Sequence, residues 1–159
     1  MFLPEFSDHR LVTSSNDPPA GDRSRLRLVR CQLEHRSGAR TRACVQFEGP
    51  WFEPPLVFEQ EGATCPGGDL RLAARATLDA LTHATQGVVR FDLTGVKPTR
   101  AFDTNMMLVA VAVHWAGEHR RALGVAVDEN NAVLATVRAT LHAVNRFVSP
   151  MLGPLPLPD

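Results

Sequence analysis

Lysine is almost missing from this 159-residue chain: of 17 basic residues only Lys97 is not arginine. Arginine used for lysine, together with abundant alanine, reads as a compositional bias of the source. Net charge is missing as well, because 17 acidic residues balance the 17 basic ones. A neutral chain has no global field to draw it to nucleic acid or to an anionic membrane. Cysteine is scarce and odd in number (Cys31, Cys44, Cys65), with no CxxC spacing. That argues against a disulfide framework and for reduced thiols in a cytoplasmic protein, buried as small hydrophobes. No apolar run approaches the roughly 20 residues that a membrane-spanning helix needs. Met1–Arg10 carries Glu5 and Asp8 without the apolar stretch of a secretory signal.

Catalytic signatures are missing too. The six histidines form no HxH, HExxH or Cys–His cluster, so no metal site is expected. Asp92 and Asp103 stand as isolated carboxylates, and no general acid–base pair can be placed. There is no nucleophile elbow, phosphate loop or dinucleotide fingerprint. The expectation is a protein that is not an enzyme and holds no cofactor.

Both ends are broken by proline and polar residues. Residues 1–24, with Pro18, Pro19 and Gly21, bury too little apolar surface to offset ordering entropy and read as a mobile arm. Residues 149–159 contain Pro-Leu-Pro-Leu-Pro, which favours polyproline II. That tail lies on its own domain or in solvent, or enters the groove of a protein partner.

What is present lies between the ends. Arg75-Ala-Thr-Leu78 recurs as Arg138-Ala-Thr-Leu141, and Leu26-Arg27-Leu28 stands to Val89-Arg90-Phe91 at the same offset of 63. Leu70, Ala74, Leu78 and Leu81 correspond to Val133, Val137, Leu141 and Val144. Their steps of four, four and three place each set on one face of a helix. Two tandem repeats are therefore expected, over 25–86 and 87–148.

Each repeat reads as three strands and a helix. The first has strands near 25–33, 40–47 and 56–63, a turn at Ser37-Gly38, a proline-rich connection over 49–55 and a helix over 69–84. Trp51 and Phe52 in that connection are expected to pack over the sheet edge. The second has strands near 88–96, 106–115 and 121–127 and a helix over 131–147. A loop runs through Pro98 to Thr104, and a turn falls at Ala116-Gly117. Asp69 and either Asn130 or Asn131 fit as helix N-caps. Leu108–Val113 is apolar on both faces, which calls for helices on one side and the sister repeat or a partner chain on the other. The fold class is α+β: two tandem βββα units with pseudo-two-fold symmetry, helices packed on antiparallel sheets.

Three stretches carry a resemblance to a known family. Gly124-Val-Ala-Val-Asp-Glu-Asn-Asn131 leads into a helix that ends Ala143-Val-Asn-Arg146. Pro66-Gly-Gly-Asp69 leads into Ala73-Ala-Arg-Ala-Thr-Leu-Asp-Ala80, and Phe91-Asp-Leu-Thr94 begins a strand. In these the chain resembles, over about Leu26 to Val148, the C-terminal regulatory domain of α-isopropylmalate synthase and citramalate synthase. The resemblance implies a homodimer that binds a branched-chain amino acid or a related small carboxylate. It places ligand contacts at the helix-start loops, Gly67, Gly68, Asp69, Asn130 and Asn131, where amides and dipole favour a carboxylate. Asp92 or Asp128 would take an ammonium, and Phe91, Leu93 and Ala126 would line the side-chain pocket.

The sequence departs from that family in carrying no catalytic barrel and no tyrosine, and in reducing a Gly-x-Gly-Pro loop to Gly67-Gly68-Asp69. These departures motivate an alternative: a scaffold or protein-interaction domain that kept the fold and lost the ligand site. A third reading, a double-stranded-RNA-binding module, shares the strand–strand–strand–helix order. It lacks the lysine cluster at the start of the last helix that such modules use.

Overall fold

The structure, a computed structural model, describes residues 26–49 and 52–152; the arm, Trp51 and most of the tail lie outside the described residues. Eight elements follow in the order βββα–βββα. The first unit holds β1 (Arg27–Arg36), β2 (Arg40–Gly49), β3 (Phe52–Ala63) and α1 (Gly68–Ala84). The second holds β4 (Val89–Ala101), β5 (Thr104–Trp115), β6 (Glu118–Val127) and α2 (Ala132–Val148). Each trio of strands forms its own antiparallel sheet, in the orders β1-β2-β3 and β4-β5-β6. The α+β class with two βββα units is as the repeat predicts.

Alternation decides which face of each sheet is covered. In β2, Thr41, Ala43, Val45 and Phe47 are buried while the residues between them are not. In β5, Met107, Val109, Val111 and Val113 are buried and the alternate residues are partly open. The buried rows lie under the helices. Helix α1 packs on β2 and β3 and reaches across to β4, α2 packs on β5 and β6 and touches β1, and the two helices pack on each other. One core joins the second sheet to both helices, and the other joins the first sheet to α1 and Val137 of α2. Leu26 and Leu141 touch both cores and tie the two units together.

Close packing has a local cause on β6. A Cβ on Gly124 would stand 1.9 Å from the Ala139 carbonyl oxygen and 2.5 Å from the Ala143 nitrogen. Only glycine lets the α2 backbone settle this far onto the strand. Strand edges are managed locally as well. Pro54 and Pro55 lie on β3, an edge strand, and proline withholds the amide hydrogens that another chain would need. On the edge strand β6 the Val125 N–H donates to His142 Nδ1 at 3.1 Å.

Three sequence expectations require correction. The segment from Pro98 to Thr104 is no loop: β4 continues through Pro98 to Ala101, paired in register with β5, and only Phe102 and Asp103 form the turn. Pro98 is tolerated because β4 is an edge strand. Strand β3 starts at Phe52, inside the expected proline-rich connection; Phe52 itself pairs with Gly49 and is partly buried. Asp69 does not cap α1; Gly67 does, in the left-handed region at φ 71°.

Among the described residues no helix is long and apolar enough to cross a membrane.

Candidate functional site

The two helix-start loops differ in how completely they satisfy themselves. Ahead of α2, the Asp128 N–H donates to the Asn105 carbonyl at 2.9 Å, and Asp128 Oδ1 accepts from the Asn131 N–H at 2.9 Å. Asn131 then caps the helix, its Oδ1 accepting from the Leu134 N–H at 3.0 Å. Asn130 sits between them with φ 64°, a conformation asparagine tolerates better than most residues. This loop is closed on its own polar groups.

The loop ahead of α1 is not closed in that way. Gly67 turns the chain and offers no side chain to cap the helix. Asp69 lies in the first turn, where the helix dipole favours a carboxylate. Among the described residues its Oδ1 is nonetheless buried without a hydrogen-bond partner. A buried carboxylate oxygen with nothing to accept from is costly, and a cationic or donor group that reached it would relieve that cost.

The remaining ligand candidates separate to opposite faces of the second sheet. Phe91, Leu93 and Ala126 are partly buried and pack against the core shared with the helices. Asp92 points the other way, onto the outer face, where it accepts from His114 Nε2 at 2.8 Å with its side chain 76% exposed. Asp92 therefore does not share a pocket with Phe91 and Leu93. The ten sequence-chosen residues fall into three places: the α1 start, the α2 start with the core beside it, and the outer face.

A histidine beside a tryptophan at a strand end, His114 with Trp115, is placed by the sequence to line a pocket, and a group assembles around it. Arg90, His114 and His119 are direct cross-strand partners on β4, β5 and β6. The imidazoles of His114 and His119 lie 4.8 Å apart between ring centroids. With Val88, Trp115 and Glu118 they line an open hollow of about 300 Å³ at the end of the sheet. Arg90 and His119 join His114 only through register, since they are far from one another in sequence. Among the described residues no three histidine, cysteine or acidic side chains are placed to hold a metal ion.

The first sheet carries a different outer surface. Arg42 reaches both Glu34 and Glu59, Arg40 pairs with Glu61 and Arg27 with Glu48. Cys44 lies within this charged lattice and Cys31 faces the helices. Burial pushes both thiols above their ordinary value, so they stay protonated at neutral pH. The basic stripe on the helices, Arg71 and Arg75 on α1 and Arg138, His142 and Arg146 on α2, is exposed.

No protein-family model and no curated protein matches this sequence.

Proposed function

We propose that this chain is a non-catalytic, cytoplasmic regulatory module that binds a small amino-acid-like carboxylate, in the manner of the α-isopropylmalate synthase regulatory domain. The observation that carries the reading is the α1 start: a glycine-capped helix terminus whose first turn holds a buried carboxylate oxygen without a partner among the described residues. Backbone amides at such a terminus suit a ligand carboxylate. Asp69 suits the ammonium of the same ligand, a role for which Asp92 and Asp128 are less free because His114 and Asn131 already engage them. The two-unit βββα fold supports the reading as well. A thermal-shift screen against the amino acids and the common 2-oxo acids tests it. A ligand at 100 times its dissociation constant adds about 2.7 kcal/mol to the folded state. Leucine, isoleucine or a near relative is expected to raise the melting temperature of the parent chain and to lose that effect in Asp69→Asn. A screen in which nothing shifts the parent chain overturns the reading.

A second reading, an interaction domain without a ligand, is favoured by one observation. The outer face of the second sheet exposes Leu123, Val125 and Val127 side by side with Met106 and Leu108. An interaction domain predicts association that no small molecule alters, and the proline-rich tail would offer a further contact for a protein partner.

A further inference from the structure

At the end of the second sheet where β5 turns into β6, the outer face changes from aliphatic to cationic. One cross-strand row is Arg90–His114–His119 and the next is Asp92–Ala112–Arg121. The acids here are already engaged. Asp92 accepts from His114 Nε2 at 2.8 Å, and Glu118 accepts from Arg120 Nε and Nη2 at 3.0 and 2.6 Å. Among the described residues Arg90 and Arg121 have no carboxylate partner. Asp92 fixes one edge of the His114 ring, and His119 lies against it with the two ring planes tilted by 54°. A guanidinium without a counter-ion beside further N–H donors is a starting point for holding an anion.

The same hollow has an apolar side. Val88 and Trp115 line it, and they remain 57% and 44% exposed. Trp115 is held there by a two-residue hairpin, Ala116 and Gly117, both at positive φ of 51° and 77°. A cationic floor next to an exposed indole asks for a ligand with two chemistries, an anionic end and a flat apolar body.

We propose that this hollow binds a small phosphomonoester that carries a ring, its phosphate on Arg90 and His119 and its ring against Trp115 and Val88. The donors come from three adjacent strands, about 4.8 Å apart, and so approach an anion from separate directions. Three terminal phosphate oxygens can each take one of them, whereas a carboxylate offers only two oxygens. Arginine's planar fork also matches phosphate geometry better than a point charge would. The hollow, about 300 Å³ and open, lies at the small end of ligand sites, which suits a ligand that exchanges freely. The inference goes beyond the amino-acid reading and does not rest on it, because it uses no residue of the α1 start. Either site can fail its own test and leave the other standing.

Calorimetric titration of the full chain with phenyl phosphate, at neutral pH and about 0.15 M salt to screen diffuse attraction, tests the site. Saturable one-to-one binding is expected. Arg90→Gln removes a charge-assisted donor and is expected to weaken it at least about tenfold, and His119→Ala at least about threefold. Inorganic phosphate, which has no ring, should bind more weakly than phenyl phosphate, and Val88→Ser should narrow that gap. Arg90, His119 and Val88 are exposed, so unchanged melting curves check the fold of each variant. Four results overturn the proposal: no saturable binding of phenyl phosphate, binding indifferent to both Arg90→Gln and His119→Ala, phenylacetate bound as tightly as phenyl phosphate, or inorganic phosphate bound as tightly as its phenyl ester.

Discussion

Thr77 and Thr140 make the same bond 63 positions apart: each buried hydroxyl donates at 2.8 Å to the carbonyl four residues back, of Ala73 and of Thr136. The buried pattern repeats with the same offset, Leu72 with Ala135, Ala76 with Ala139 and Leu81 with Val144. A hydroxyl returned to its own helix leaves no polar group unpaired where α1 and α2 bury their inner faces. Since each carbonyl belongs to the helix, losing the hydroxyl bond strands no acceptor. Thr77→Val and Thr140→Val are each expected to change stability by less than about 1 kcal/mol, and by similar amounts. Urea unfolding checks this; a loss several times larger at one site alone would show that the two positions are not equivalent.

Gly124 is the tightest approach on β6. Because the atoms that meet an added Cβ there are backbone atoms of α2, they cannot swing aside. Gly124→Ala is expected to cost about 1–3 kcal/mol, while Leu123→Ala next to it, on the exposed face, stays within about 0.5 kcal/mol. Unfolding midpoints of the two variants, measured in parallel, decide between them.

Acid stability has a local source at Glu61. The Arg40 side chain donates to Glu61 at 2.6 Å, and with Arg36 and Arg42 nearby this holds the carboxyl below its usual value. The folded value lies below the unfolded one, so the stabilising contribution is present at neutral pH. It is lost as pH falls through the folded value. Glu61→Gln is therefore expected to flatten the acid limb of the stability–pH curve and to leave its neutral region unchanged in slope. The pair is open to solvent, which keeps the effect small.

Thiol reactivity should follow burial. Cys65 is exposed, while Cys31 and Cys44 are partly buried with raised thiols. Under limiting iodoacetamide at neutral pH, peptide mass spectrometry should find Cys65 alkylated first. Faster labelling of Cys31 would contradict the packing of β1 under the helices.

Much of this architecture is legible in the sequence because periodicity and register agree. The 3.6-residue stripes place both helices within a residue of their observed starts, and alternation marks the buried face of β2, whereas β5 is apolar on both faces and only its packing singles out Met107, Val109, Val111 and Val113. What was hidden is backbone chemistry that residue type does not announce. Phe102 and Asp103 both adopt positive φ, at 51° and 58°, and so make the two-residue hairpin that Asn-Gly usually signals. Pro98 looks like a strand breaker until β4 is known to be an edge. For the site, Asp92 beside Phe91 and Leu93 looked like part of one pocket, but strand alternation sends it to the other face. The open carboxylate of Asp69 became visible only when its surroundings were packed.

Amide chemical shifts recorded during titration with leucine or isoleucine test the ligand account most directly. The account predicts saturable shifts that centre on Gly67–Leu70 at the start of α1 and disappear in Asp69→Asn. Spectra unchanged at saturating amino acid, or shifts centred on the outer face of the second sheet, would contradict it.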